Sequence, residues 1–446
     1  MYDAVVVGGG VAGSVAAIAS ARNGARTLLI ERYGFLGGSL TNAGVGPMMT
    51  FHAGARQVVG GIAAEIVDRL KERGASPGHI TDTIGYASSV TPFDAESLKL
   101  LLDEMVRESG CELLFHTMLA GVAVSNQMLR TVTVCNKAGI SEIDGRFFVD
   151  ATGDADLAYF AGVDCQKGRD SDGLTQPMTL NVKIGGVDIV AIKCYIRENP
   201  GEFLLKDDGE WIETTARLSV SGFYTLLKEA VTAGAITFPR DFVLFFETNN
   251  PGEVILNMTR VLQKDATDPV QLTQAEVEGR RQARQAFLFL KNKVPGFSDA
   301  ILVSTGVQIG IRESRRIKAS YQLTAEDLLS GRKFYDAIAR GGYPIDIHNP
   351  LGQSTDSIHL PEGASYQIPY RSLLNGRIFN LAVAGRCIGA THEAAAAIRV
   401  SPIAMAIGQA AGTAVALTAT HGQNQNLHCL DSARLRETLM GQGAIL

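Results

Sequence analysis

The chain has 446 residues, 46% of them hydrophobic and 20% charged, enough for a large buried core divided over two domains. Lys plus Arg is 41 against 46 for Asp plus Glu, and a net charge of -5 gives no electrostatic footprint for nucleic acid or an anionic membrane. The six cysteines (Cys111, Cys135, Cys165, Cys194, Cys387 and Cys429) form no C-x-x-C pair, which argues against a dithiol centre, an iron–sulfur cluster or a structural zinc site, and no metal is expected.

Tyr2 to Gly8 reads as a short buried parallel strand. Residues 11–23 read as an Ala-rich helix ending near Asn23-Gly24, and Thr27 to Ile30 as a second strand closing at Glu31. Together they make one βαβ unit. The first strand starts almost at Met1, so no signal peptide is expected and the expected compartment is the cytoplasm, with free thiols. A Gly-rich loop, Gly37 to Gly44, follows. Residues 60–73 and Phe93 to Ser109 have helical spacing, the second with Asp94 as N-cap. A strand at 112–115 leads to two alternating strands, 119–124 and 131–135, a hairpin turn at Asn136 to Gly139, and a buried strand Phe147 to Val149.

From about 175 to 300 the character changes. Charges and aromatics mix, strand-like runs appear at 178–184 and 254–261, and a long polar helix covers Thr273 to Lys293. This reads as a separate capping unit. Strand-turn-helix patterning returns at Phe379 to Arg386, before an Ala-rich helix. The stretch 401–420 owes its apolarity to small residues and includes Gly408, Gln409 and Gly412, so a buried helix is expected there rather than a membrane span.

Gly8, Gly10 and Gly13 have the G-x-G-x-x-G spacing. The first glycine makes the tight turn, the second lets the backbone approach a pyrophosphate, and the third packs helix against strand. Open N–H groups and the helix dipole then favour the anion. Glu31 ends the second strand, where an acid accepts from both ribose hydroxyls; Arg32 beside it suits FAD. Two distant segments favour FAD over NAD: Ala151-Thr152-Gly153-Asp154 after an apolar strand, and Ala384-Gly385-Arg386 before the last long helix. The expected fold is α/β: a Rossmann-like FAD-binding domain with a three-layer parallel sheet, discontinuous over 1–175 and 300–446. An inserted α+β substrate-capping domain occupies 176–299, with a far boundary as late as about 370.

With these segments, Phe35-Leu36-Gly37-Gly38 with Thr41, Phe93-Asp94-Ala95-Glu96, Gly310 to Arg316 and Ile368 to Leu373, the chain resembles the FAD-dependent oxidoreductase family. That family is related to the flavoprotein subunits of fumarate reductase and succinate dehydrogenase, with their glutathione-reductase-like FAD fold. The resemblance implies that Gly37, Gly38 and Ser39 lie along the pyrophosphate and flavin, with Thr41 near the reactive ring edge. It also implies that Leu119-Ala120-Gly121 passes the adenine and that Asp154 lies close to the cofactor. Relatives often end the final strand in Gly-Asp; here the pair is Gly385-Arg386, whose cation is suited to the pyrophosphate.

The helix after Arg399-Val400-Ser401-Pro402 is expected to point its N-terminus, at Ser401, towards the flavin N1–C2=O edge, where its dipole favours the reduced anion. Arg399 resembles the carboxylate-binding Arg of the fumarate-reductase type, with a salt bridge as the alternative. His392 and His348 are candidate acids, bases or donors. Alternation in an extended Tyr343 to His348 puts Asp346 and His348 on one side. Arg312, Arg315 and Arg316 cannot all point inward; ion pairing is expected for most of them. His52 is a lesser candidate for tethering the flavin, which is otherwise expected to be non-covalent. No second G-x-G-x-x-G appears, so electrons reach a separate partner: oxygen, a quinone, a protein, or a nicotinamide held without the usual fingerprint. The expected activity is hydride transfer at flavin N5 with a small carboxylated or polyhydroxylated substrate. Macromolecule modification, such as of tRNA, and a non-catalytic flavin assembly protein stay open as alternatives, as does homo-oligomerisation.

Overall fold

Ala4 to Val7 are all buried and lack the alternation of a half-exposed strand, as the middle of a parallel sheet requires. In the computed structural model, which describes residues 1–352, 355–421 and 425–446, strand Tyr2–Val7 pairs in parallel on both sides. Ala4 faces Thr27 of one neighbour and Phe147 of the other. Glu112–Leu114 extends one edge of the sheet and Leu381–Val383 the other, again in parallel. The expected α/β class is the one observed.

Strand Gly139–Asp150 is longer than the sequence pattern indicates, because it serves two partners. Its second half lies in the parallel sheet, and its first half forms the antiparallel hairpin with Met128–Asn136. Met118–Ser125 adds a third strand to that meander. Exposure of residues 139–142 hides the continuity from a search for apolar runs.

Helix Ala95–Glu108 begins as expected at Asp94, whose carboxylate accepts from Ser97 N–H at 2.7 Å. Helix Ser401–His421 owes its composition to its neighbour, the helix Val11–Arg22. A Cβ at Gly408 would lie 2.1 Å from the Ala12 carbonyl oxygen, and one at Gly412 2.0 Å from that of Ala16. Only glycine lets the two backbones meet. Its stretch Ser401–Thr420 is the one helix among the described residues long and apolar enough to cross a membrane, and its apolar window is 89% buried inside the protein.

A second hydrophobic core runs from Met178 to Ile309. Its antiparallel sheet has the order 219–222, 243–247, 254–256, 182–185, 301–305. Ala275, Ala283, Ala286 and Leu290 of helix Pro269–Lys293 share this core. The helix starts earlier than the sequence reading has it, at Pro269, capped by Asp268. Strand Ile301–Thr305 pairs in this sheet, past 299 and inside the later of the two boundaries read from the sequence. Its side chains are largely exposed at the sheet edge, so no inside–outside alternation marks it.

Candidate active site

A cavity of about 550 Å³ is lined by residues of both cores. One end is built from backbone turns. Gly8 has φ +101°, and a Cβ on it would sit 2.5 Å from the Ala151 carbonyl oxygen. A Cβ on Gly13 would sit 1.8 Å from the Gly8 carbonyl oxygen, so the helix reaches the strand only because Gly13 has none. Gly10 bridges to Gly37, and a Cβ on Gly38 would lie 2.7 Å from the Gly10 Cα. Two glycine segments thus close on each other, and the first turn of helix Val11–Arg22 has no side-chain cap for its N–H groups.

Glu31 lines this end, accepting from Gly9 N–H and from Tyr33 N–H at 2.9 Å; burial pushes its carboxyl pKa up. Arg32 lies at the exposed rim, bonded to Gln308. The departure at Gly385-Arg386 has a structural partner. Arg386 donates to Asp154 at 2.7 Å, and Ser314 Oγ donates to the same carboxylate oxygen. The two distant segments therefore meet, and Arg386 Nε is buried without a hydrogen-bond partner among the described residues. Backbone donors at a helix start, a ribose-level acid and the unpartnered Nε of Arg386 fit a flavin dinucleotide. Gly8, Gly10, Glu31, Arg32, Gly38, Ser39, Asp154, Gly385, Arg386 and Ser401 all line the cavity.

The other end is built from side chains around Asp346. Its Oδ2 accepts from Arg399 Nη2 at 3.1 Å, His348 Nε2 at 3.3 Å and Tyr343 at 3.4 Å; its Oδ1 accepts from Tyr86 at 2.8 Å. Burial alone would raise this carboxyl, yet His348, Arg399 and Tyr86 hold it well below the usual carboxylate range. Burial, then the charge of Arg312, pushes His348 down to about 3. Arg240 and Arg312 also line this end. Burial and a neighbouring guanidinium (Arg260 for the first, Arg399 for the second) bring each down to about 9.

The structure does not bring every expected residue to the cavity. Strand Ile345–His348 is extended, and Asp346 and His348 share a side, as alternation required. Arg399 lines the cavity and makes the salt bridge that was its alternative. His392 does not line it. Its Nδ1 lies 2.9 Å from Glu313 Oε1 in a buried cluster with Arg316, and its ring is 5% exposed. Of the three clustered arginines, Arg316 pairs with Glu313, Arg315 with Asp156, and only Arg312 faces the cavity. Thr41 turns back to donate to the Leu36 carbonyl at 2.6 Å; its neighbour Asn42 lines the cavity instead. Gly13, Gly37 and Ala120 support the wall without lining it, and Leu119 is the lining residue beside Ala120. His52 lies outside the lining, its Nδ1 2.9 Å from Ser89 Oγ. Tyr86, Arg240 and Asn257 carried no sequence signal. Each sits in an irregular segment whose neighbours are distant in the chain.

A family profile described as FAD dependent oxidoreductase matches residues 3–439. Dihydrolipoamide dehydrogenase of Chaetomium thermophilum is 28% identical over 163 residues, which are 36% of this chain and 30% of that protein, so the match spans under a third of that relative. The p-nitrophenol 4-monooxygenase of Pseudomonas putida superposes with a TM-score of 0.50 at 10% identity, covering 98% of this chain and 85% of that one. A flavin-dependent brominase gives 0.48 at 13% identity, over 99% and 83%. At 10% identity the monooxygenase speaks for the fold alone. The profile spans nearly the whole chain and agrees with the glycine turns, Glu31 and the Asp154–Arg386 closure: this chain belongs to the FAD dependent oxidoreductase family, is an oxidoreductase, and uses FAD.

Proposed function

We propose that this protein is a dehydrogenase or reductase that exchanges a hydride with a small carboxylated or polyhydroxylated substrate bound at the Asp346 end of the cavity. The observation that carries the reading is the continuity of that cavity, from the glycine turns to Asp346, His348 and Arg399. The finer kinship with fumarate reductase and succinate dehydrogenase flavoproteins belongs to the same reading. FAD, when bound, supplies a two-electron hydride acceptor or donor.

The chain's own residues do the rest. Arg399 spends Nη2 on Asp346, while its buried Nε has no partner among the described residues and is left to hold a substrate oxygen. His348 rests neutral at physiological pH. With Nε2–H donating to Asp346, Nδ1 is left as an acceptor, 3.4 Å from Thr355 Oγ1. In oxidation of an alcohol, Nδ1 takes the hydroxyl proton as the hydride leaves, and Asp346 stabilises the imidazolium that forms. Tyr86 fixes the Asp346 carboxylate from the opposite side. Ser401 and Val400 line the cavity at the start of a long helix, so its positive end favours negative charge beside it.

Anaerobic titration of the FAD-loaded protein with hydroxy acids, enoates and polyols tests this reading. A member of that panel is expected to change the flavin absorbance band. A flavin that dithionite bleaches but no panel member touches, in either redox state, counts against it.

A further inference from the structure

The charges at the Asp346 end do not balance. Arg399 has its counter-charge in Asp346. Arg240 and Arg312 have none: among the described residues no carboxylate lies within 4 Å of either guanidinium. Their partners are neutral. Arg240 donates to the carbonyls of Phe242 and Asn257, and Arg312 to the Pro177 carbonyl, Thr179 Oγ1 and Asn257 Oδ1. Both therefore grip Asn257, one by its backbone and one by its side chain, which brings the two cations side by side. Arg240 is 5% exposed. Arg260, behind them, adds a like charge, and Asp241, Asp346 and Asp356 oppose it from further off. Asp82 also lines the cavity, but its carboxylate is turned onto the N–H groups of its own loop, Ile84, Tyr86 and Ala87.

Two neighbouring cations without an anion, Arg240 buried and Arg312 partly buried, are costly, and such a pair persists where a ligand supplies the missing charge. A carboxylate would supply one negative charge and leave one cation over. A phosphoryl group supplies up to two, with three acceptor oxygens suited to paired guanidiniums. Asn257 and Ser221 line the same cavity and offer neutral donors that a phosphate's remaining oxygens take.

We propose that Arg240 and Arg312, with Asn257, form a phosphoryl subsite, so that the substrate is a phosphate monoester whose reacting carbon is presented towards His348 and Arg399. The proposal rests on the reading of this cavity as the substrate site, and it narrows the substrate class to phosphorylated hydroxy acids or polyols.

The test is calorimetric titration of the FAD-loaded protein with phenyl phosphate, inorganic sulfate, acetate and succinate at constant ionic strength. Phenyl phosphate is expected to bind at least about 30-fold tighter than acetate, the size of effect of a buried charge pair. Its affinity is expected to rise from pH 5 to pH 7.5, as the ester takes its second charge near pH 6. In Arg240→Gln the preference over acetate is expected to fall to within about threefold, and Arg240→Lys to restore part of it. Where Arg240→Gln does not retain FAD, Asn257→Ala serves, with a smaller loss in the same direction. Acetate binding as tightly as phenyl phosphate, succinate binding tighter than either, or a preference untouched by Arg240→Gln would each overturn the subsite. Failure of the redox reading shows differently: phosphate esters then bind with the expected preference, and none of them reduces or oxidises the flavin.

Discussion

The two ends of the cavity hold their ligands by opposite means. The glycine end is made of main chain: Gly8, Gly13 and Gly38 stand where any side chain would collide with neighbouring backbone. Its donors come from turn geometry, and its charged side chains include Glu31, held by Gly9 and Tyr33 N–H, and Arg386, paired with Asp154. The arginine end is made of long side chains from five separated segments: Tyr86, His348 and Arg399 meet at Asp346, while Arg240 and Arg312 have no carboxylate partner among the described residues. The first end is rigid and indifferent to small changes in charge. The second is set by a charge balance, so one substitution there redistributes every partner.

The largest effect is expected where the first end is blocked. Gly13→Leu places atoms on the Gly8 carbonyl and should cost at least about 3 kcal/mol, with loss of the flavin spectrum on purification. If that variant keeps FAD and its melting temperature, the description of the glycine end as a close-packed backbone cradle is broken.

Asp346→Ala comes next and probes the second end. It leaves Arg399 without its counter-charge and His348 and Tyr86 without their acceptor, at a cost of about 3–5 kcal/mol in denaturant unfolding. FAD should still be retained under native conditions, because Asp346 does not touch the glycine end. Equal loss of FAD in the Gly13 and Asp346 variants would contradict the separation of the two ends.

His348→Gln has a smaller, pH-dependent effect. The folded pKa of about 3 lies below the unfolded value, so the unfolded chain takes the proton first. The neutral imidazole is fully compatible with the fold above about pH 6.5, and stability drains away as pH falls from there towards 3. The glutamine variant should lose stability less steeply over that window, by up to about 1.4 kcal/mol per pH unit. An unchanged slope between pH 7 and pH 4 would remove His348 from the buried network. Arg32→Ala, at the exposed rim of the glycine end, should change stability by less than about 0.5 kcal/mol.

The same contrast explains what could be read from the sequence. Gly8, Gly10, Gly13 and Glu31 announce themselves because the constraint on each is local: a turn, a close approach, a strand end. The alternation in Tyr343 to His348 is local too, and it correctly paired Asp346 with His348. Arg240 and Tyr86 could not be found that way. Their roles depend on residues far along the chain, such as Asn257 and Asp346, and nothing in their immediate neighbourhood separates a buried arginine from a solvated one. His392 shows the converse. Its position beside a family-like segment made it a candidate, while Glu313, distant in sequence, holds it in a structural cluster. Strand Ile301–Thr305 went unread for the same reason, since pairing with Val182–Gly185 leaves no local periodicity behind.

The account stands or falls on one cavity serving both ligands. A crystal structure of the FAD-loaded protein with a substrate identified by flavin reduction tests it most directly. FAD is expected against Gly10 and Glu31, with the substrate between the flavin ring and the Arg399–Asp346–His348 group. A substrate bound elsewhere, or a flavin ring directed away from Arg399, would contradict it.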